Sequence, residues 1–177
     1  MLFSIAIQLS NRSLAAEQGN KDEDESIGNI YIDLEIGEIT SISNLDNFDF
    51  TDWELNDDVV EQSDDVCVYS NKLANTQYTI TASGTGTGSS FAVTSSTGNE
   101  EIPYLAYWND RAKTDSGRKQ IRANTPLTNQ KKANTKAFDC EGKDNARISI
   151  AFTKTDLDAV VITGLYSGTL FISISPE

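Results

Sequence analysis

The C-terminal stretch, residues 164–177, constrains the fold most strongly because its side chains alternate between two faces. In an extended chain one of these faces carries four apolar or aromatic residues, Tyr166, Leu170, Ile172 and Ile174. Successive side chains of a β-strand point to opposite faces, so this period of two predicts a strand with one face in a hydrophobic core. We expect Pro176 to end the strand, whose partners then come from earlier in the chain or from another chain.

Other short alternating segments recur along the chain. The first places four aliphatic residues on one face, Ile30, Ile32, Leu34 and Ile36. Further strand candidates are residues 66–69, 78–82, 91–94, 102–108 and 146–152, and the glycine-rich residues 84–90 are expected to form a hairpin loop. Residues 155–159 offer at most one helical turn, with Thr155 as its cap candidate. The pattern predicts an all-β, antiparallel β-sandwich.

The chain length and the N-terminal composition predict one folded domain behind an export signal. At 177 residues the chain suits a single domain that buries roughly 70% of its unfolded surface. Residues 1–16 combine a short apolar run with small residues and are expected to be a signal peptide, the alternative being an N-terminus with chance hydrophobic residues. Residues 17–28 carry clustered acidic charge, which predicts a disordered segment. Residues 29–177 then form the sandwich domain.

The two cysteines are consistent with export. Cys67 and Cys140 form an even count in a chain without histidine, so together they make a poor zinc site. In an oxidising compartment a disulfide between them is expected, whereas two free buried thiols require a reducing one. We predict the disulfide.

The charge distribution excludes some partners and leaves others open. A net charge of −13 argues against binding nucleic acid or an anionic membrane through bulk electrostatics. Seventeen of the 27 acidic residues lie in residues 17–65, whereas eight of the 14 basic residues lie in residues 111–136. This opposition is satisfied either by ion pairs within one molecule or by head-to-tail contacts between molecules.

No motif in the sequence indicates catalysis, a cofactor or a metal site. The absence of histidine excludes Ser-His-Asp and Cys-His catalysis. The glycine-rich loop lacks the residues of a dinucleotide or phosphate loop. The aspartates near residues 46–58 match no EF-hand spacing, so a solvated loop is expected, with calcium binding as the alternative. Among the aromatics, Tyr104 and Trp108 share a face with Ile102 and belong to the core, and Tyr107 is the freer candidate for stacking on a sugar.

The sequence resembles exported bacterial pilus subunits of the chaperone–usher type, especially the colonization-factor and spore-coat-U-like branches. The resemblance rests on the signal-like start, on residues 30–46 and 65–70, on residues 102–110, on the Asp139-Cys140 pair and on residues 164–170. It implies an immunoglobulin-like fold that lacks one strand. A strand from a periplasmic chaperone, and later from the next subunit delivered by an outer-membrane usher, completes the fold by β-augmentation.

Under this resemblance the chain is a structural subunit of a surface fimbria, exported through the periplasm and possessing no enzymatic activity. The donor strand would be residues 30–36, and the C-terminal strand would border the acceptor groove. If residues 30–36 are instead the subunit's own first strand, the protein sits at a pilus tip or stands alone. The alternative is a free-standing secreted module that binds a glycan or a protein through Tyr107 or the loops.

Overall fold

The computed structural model describes residues 28–50, 59–72 and 76–177. The chain divides into two units, Met1–Gly37 and Glu38–Glu177. The predicted sandwich domain was expected to begin at residue 29, whereas the larger unit begins at Glu38. The predicted signal peptide, residues 1–16, lies outside the described residues, as does nearly all of the acidic segment, residues 17–28.

Eleven β-strands and one α-helix form in the described part of the larger unit. The strands are β1 Thr40–Ser43, β2 Val59–Ser70, β3 Tyr78–Gly84, β4 Ala92–Ser95, β5 Glu101–Pro103, β6 Leu105–Asn109, β7 Lys119–Ile121, β8 Leu127–Gln130, β9 Ala146–Thr153, β10 Tyr166–Ser167 and β11 Leu170–Pro176. The helix is α1, Lys154–Asp158, and 3-10 turns form at Thr87–Ser89 and Cys140–Gly142. The described part contains no helix with the length and apolarity to cross a membrane.

The strands form three antiparallel sheets. The largest has the order β1-β2-β9-β6-β7, and the others are β11-β3-β8 and β10-β4-β5. If β1, β2, β3, β6, β9 and β11 are lettered A to F, the large sheet contains A-B-E-D and the second contains F-C. This is the arrangement of an immunoglobulin-type sandwich. The fold is the predicted all-β antiparallel sandwich.

The core lies between the large sheet and the β11-β3-β8 sheet. The alternation predicted for Tyr78, Ile80 and Ala82 is confirmed, because all three side chains are buried. Strand β9 is buried along most of its length, which agrees with its central position in the large sheet. Trp108 of β6 packs edge-on against Tyr78 of β3, with 6.4 Å between the ring centroids. This contact joins the two layers.

Two local predictions from the sequence are wrong. The glycine-rich loop is not a hairpin, because β3 before it and β4 after it belong to different sheets. A Cβ atom at Gly84 would lie 2.1 Å from the Ser90 carbonyl oxygen, so the glycine permits a tight crossover between the sheets. The helical turn is capped by Thr153 rather than Thr155, since the Thr153 hydroxyl accepts a hydrogen bond from the Asp156 amide.

Candidate functional site

One edge of β11 has no backbone partner among residues 28–50, 59–72 and 76–177. On its other edge β11 pairs with β3 over its whole length, from Leu170 opposite Gly84 to Pro176 opposite Tyr78. The strand is therefore an edge strand, although its apolar face packs against the core. Edge strands present unpaired N–H and C=O groups, which are a template for pairing with another chain.

The apolar face of β11 is only partly covered. Its burial alternates strictly, and half-buried positions fall at Leu170, Ile172, Ile174 and Pro176. In the neighbouring strand β3 the inward side chains, such as Ile80, are fully buried. The difference is the one expected between an edge strand and a central strand, because a central strand of a sandwich buries its inward face completely.

Strand β1 comes close to β11 but does not pair with it. It pairs with β2 only, from Thr40 opposite Ser70 to Ser43 opposite Cys67, and Ile42 packs against the core. The buried side-chain hydroxyls of Thr40, Ser41 and Ser43 have no hydrogen-bond partner among the residues that the structure describes. In the lettering used above, A and F are the strands beside which strand G lies, and the described residues contain no seventh strand in that position.

The alternating segment of residues 30–36 forms no strand and exposes its aliphatic side chains. Ile30, Ile32, Leu34 and Ile36 are between 76% and 88% exposed. Monomeric proteins rarely expose so continuous a set of large aliphatic side chains unless it forms an interaction surface. Within the larger unit, Asn71 holds the chain just after this segment, because its side-chain oxygen accepts the Ile39 amide at 2.8 Å.

The structure divides the predicted C-terminal strand into two strands that belong to different sheets. Tyr166 was expected to lie on one strand with Leu170, Ile172 and Ile174, but it belongs to β10 and pairs with β4 in a different sheet. The break falls at Gly168, where a Cβ atom would approach the Ala92 carbonyl oxygen to 2.7 Å. The Tyr166 hydroxyl instead contacts the Glu100 carboxylate, which lowers the pKa of Glu100. Tyr166 therefore does not border the β11 edge.

The two cysteines form the predicted disulfide. Cys67 lies on β2 and Cys140 opens the second 3-10 turn, and both side chains are buried. The cross-link fixes the end of the long excursion between β6 and β9 to the large sheet. Next to it, Phe138 is exposed and its ring lies 6.1 Å from that of Tyr69.

The outer face of the large sheet carries a network of ion pairs. Arg118 forms a two-pronged contact with the Glu61 carboxylate, and its guanidinium carbon lies 4.2 Å from the centre of the Tyr107 ring. Arg147 likewise binds Asp65 through Nε at 2.7 Å, and this contact lowers the pKa of the Asp65 carboxyl. Tyr107, the aromatic residue expected to be free for a sugar, is therefore covered on one face by a cation.

Ion pairs within one molecule account for only part of the opposition between the acidic residues 17–65 and the basic residues 111–136. Of the eight basic residues between positions 111 and 136, Arg118 alone forms a salt bridge within the described residues, and its partner Glu61 lies in the acidic region, residues 17–65.

Two of the aspartates considered for calcium donate their backbone amides to nearby side chains: Asp46 to the Asp64 carboxylate and Asp49 to the Gln62 amide oxygen. The other three, Asp52, Asp57 and Asp58, lie outside the described residues.

An open cleft of about 350 Å³ at one end of the sandwich is lined by four basic residues. We call this the basic cleft; its cations are Arg111, Lys119, Lys131 and Lys132. All four are exposed, and within the described residues none forms a salt bridge. Sequence reasoning missed the cleft because three separate segments build it: the end of β6 with the loop that follows, the start of β7, and the end of β8.

The single carboxylate in the basic cleft is already engaged. One oxygen of Asp110 accepts the Tyr78 hydroxyl at 2.8 Å, and the other accepts the Lys131 amide at 2.8 Å. Burial and the neighbouring Asp110 both raise the pKa of Tyr78, so this hydroxyl remains a donor at neutral pH. The cleft therefore presents net positive charge on a strongly acidic protein.

Comparison with known proteins identifies a similar fold. No protein-family model matches the chain, and no curated protein does. A solved chain from a study of a chaperone–tip adhesin complex in CFA/I fimbriae biogenesis is similar in structure, with a TM-score of 0.54 and 13% sequence identity. The match covers 78% of the present chain but 41% of the solved one, so the chain spans less than half of that protein. At this identity the likeness shows a shared fold.

Proposed function

We propose that the protein is an exported, non-catalytic structural subunit of a bacterial surface fimbria, which assembles by donor-strand exchange. The observation that carries the proposal is the combination of an unpaired, half-covered β11 edge with an exposed alternating segment at residues 30–36. The first offers a strand position that none of the described residues fills, and the second alternates as a strand does while its aliphatic side chains stay exposed. The fold shared with a chain from a fimbrial complex supports the same reading.

The two features have matching lengths and matching alternation. When residues 30–36 add to β11 in the antiparallel direction, directly opposite residues share a face. A full overlap places Ile30 opposite Pro176, Ile32 opposite Ile174, Leu34 opposite Ile172 and Ile36 opposite Leu170. Every inward position then receives an aliphatic partner. Asp33 and Glu35 fall on the outward face, opposite Ser173 and Phe171.

Donor and acceptor belong to different copies in this proposal. Main-chain hydrogen bonds to β11 supply sequence-independent affinity, and the alternating aliphatic residues set the register. Before assembly an exported chain needs a substitute strand, which a periplasmic chaperone would supply, and an outer-membrane usher would then deliver the subunit to the growing fibre. A role in adhesion belongs to the same proposal.

Two complementary full-length variants test the mechanism. A donor-blocked chain carries Ile32→Asp and Leu34→Asp, and a groove-blocked chain carries Ile172→Asp. Each is expected to lose self-assembly in sedimentation velocity, because either the donor or the acceptor is disabled. A mixture of the two should give heterodimers and nothing larger, since one functional donor and one functional groove remain.

Matched controls change charges on the outward faces instead. Asp33→Asn leaves the donor face intact. Ser175→Asp, which falls opposite Tyr31 in this register, leaves the inward face of β11 intact. Both variants should assemble like the wild type. Wild-type chains that stay monomeric at every concentration, or heterodimers that fail to form while the controls behave normally, would refute strand exchange. The first outcome would favour the alternative, a free-standing secreted binding module.

A further inference from the structure

The basic cleft lies at the end of the sandwich where β11 finishes. In the three-stranded sheet Pro176 is opposite Tyr78, and Tyr78 is opposite Gln130, which lines the cleft together with Lys131. The Asn129 amide donates to the Glu177 carboxylate at 2.8 Å, which ties the end of β11 to β8 directly. The cleft is therefore close to the last residues of the β11 edge.

The direction of an added strand determines what emerges at this end. A strand antiparallel to β11 has its own N-terminal end beside the C-terminal end of β11. With residues 30–36 along the edge, Ile30 lies beside Pro176, and the residues that precede Ile30 leave the sheet toward the basic cleft. Those residues are the acidic segment, residues 17–28, in which Asp22, Glu23, Asp24 and Glu25 are consecutive.

The distances allow the acidic segment to reach the basic cleft. Between the added strand and β8 lie β11 and β3, and three inter-strand spacings amount to about 14 Å. Ile30 follows Glu25 by five positions, and five extended residues span about 17 Å. A much shorter connection would fall short of the cleft.

The charges on the two sides are complementary. The basic cleft offers four cations without a salt bridge in the described residues, and its only carboxylate, Asp110, has both oxygens occupied by Tyr78 and Lys131. The acidic segment offers four consecutive carboxylates with Lys21 as its single cation. On a protein of net charge −13, a patch of this sign attracts a segment that the remaining surface repels.

We propose that the basic cleft of one copy binds the acidic segment of the next copy, while residues 30–36 of that next copy occupy the β11 edge. This rests on the proposed function. The electrostatic contact sets the direction in which the donor strand enters and favours the full-overlap register, because a slipped or reversed strand carries its acidic residues away from the cleft.

A double-mutant cycle between full chains tests this contact, with heterodimer affinity as the readout. The donor-blocked chain receives Lys119→Gln, Lys131→Gln and Lys132→Gln in its cleft. The groove-blocked chain receives Asp22→Asn, Glu23→Gln, Asp24→Asn and Glu25→Gln. Each set alone should weaken the heterodimer by about tenfold at low salt. The two sets together should weaken it by little more than either alone, because they remove the same interaction.

The matched control removes three exposed cations outside the cleft. Arg122→Gln, Lys136→Gln and Lys143→Gln change the net charge equally and should leave the heterodimer affinity within about twofold of the parent. The tenfold effects should shrink in ~0.5 M NaCl, where exposed charges are screened beyond ~4 Å. A control effect equal to that of the cleft variant would show that only net charge matters and would overturn the proposal.

The cycle separates failure of this inference from failure of strand exchange. Heterodimers that form but show purely additive effects would refute the electrostatic contact and leave strand exchange standing. Heterodimers that never form would refute strand exchange itself. Additive effects combined with cleft-dependent retention on immobilised heparin would assign the cleft to an anionic polysaccharide and would also overturn the inference.

Discussion

Replacing Tyr78 with phenylalanine tests the hydrogen-bond network that links β3 to the floor of the basic cleft. The Tyr78 side chain is 1% exposed, and its hydroxyl donates to Asp110 at 2.8 Å while it accepts the Trp108 indole N–H at 3.3 Å. Phenylalanine keeps the ring packing and removes only the oxygen. The variant therefore leaves one carboxylate oxygen of Asp110 and the Trp108 N–H without this partner.

The expected cost follows from these two losses. A hydrogen bond to a charged group contributes about 1.5–3 kcal/mol, and a buried donor left without a partner adds about 1 kcal/mol. We expect Tyr78→Phe to lower the free energy of unfolding by about 3 kcal/mol, or the Tm by about 6–12 °C for a chain of this size. Urea denaturation followed by tryptophan fluorescence measures the change, with the slope of the transition as a check on two-state behaviour.

Tyr104→Phe is the matched control. Tyr104 is also buried, but its hydroxyl forms no hydrogen bond within the described residues, and burial alone raises its pKa to about 12. We expect this variant to change stability by less than about 0.5 kcal/mol. Equal effects of the two substitutions would refute the assigned role of the Tyr78 hydroxyl, since both variants remove the same atom from a buried ring.

The buried Tyr78 hydroxyl also predicts that folding stability depends on pH in the alkaline range. The pKa of Tyr78 is raised in the folded state, so above pH ~10 the unfolded chain loses this proton while the folded chain retains it. Folding stability should therefore be fully present below pH ~10 and fall as the pH rises above it. In Tyr78→Phe this part of the decline should be absent.

Three further predictions concern the cross-link, the outer ion pair and the donor face. Replacing Cys67 and Cys140 with alanine should lower the free energy of unfolding by about 4 kcal/mol in urea denaturation, because the disulfide closes a loop with a sequence separation of 73; a loss below about 1 kcal/mol would contradict this. Arg147 lowers the pKa of Asp65, so stability should decline as the pH falls below ~4, and an Asp65→Asn variant that titrates like the wild type would contradict this assignment. Leu34→Ala should raise the midpoint concentration of assembly by about thirtyfold, since it removes about 2 kcal/mol of apolar burial, and should leave monomer stability unchanged because Leu34 is 82% exposed; an unchanged midpoint would refute the donor assignment.

Local periodicity predicted those strands whose own apolar side chains place one face in the core. The alternation at Tyr78, Ile80 and Ala82 and the apolar run of β9 determine which face is inward wherever the strand lies. The polar part of β2, residues 59–65, was not among the strand candidates. Its residues Glu61 and Asp65 are held by Arg118 and Arg147, and partners so distant in sequence leave no local signal.

The points at which strands change sheets could not be predicted from the sequence. Residues 102–108 were expected to form one strand, but the chain crosses from β5 to β6 at Tyr104, whose amide donates to the Phe91 carbonyl. The same happens at Gly168 between β10 and β11. In both places the break depends on the close approach of a remote backbone, which only the assembled fold specifies.

Sequence alternation predicted both the proposed donor segment and the inward face of the proposed acceptor strand. The same alternation marked residues 30–36 and the residues Leu170, Ile172 and Ile174. In the structure the aliphatic side chains of the first set are exposed, and those of the second set are half-buried. The basic cleft was visible only as a local excess of cations. Its position beside the end of β11 depends on the registers of β3 and β8, which the sequence does not reveal.

Disulfide trapping between copies tests strand exchange most directly. Residues directly opposite in an antiparallel pair have Cα atoms about 4.5–5.5 Å apart, within the range that a disulfide spans. Under oxidising conditions a chain carrying Leu34→Cys and Ile172→Cys should form a ladder of covalently linked multimers, and mass spectrometry should identify the 34–172 cross-link. A chain carrying Leu34→Cys and Ser173→Cys, whose side chains fall on opposite faces, should stay largely unlinked. Equal cross-linking of both pairs, or no multimers from the first, would contradict the account.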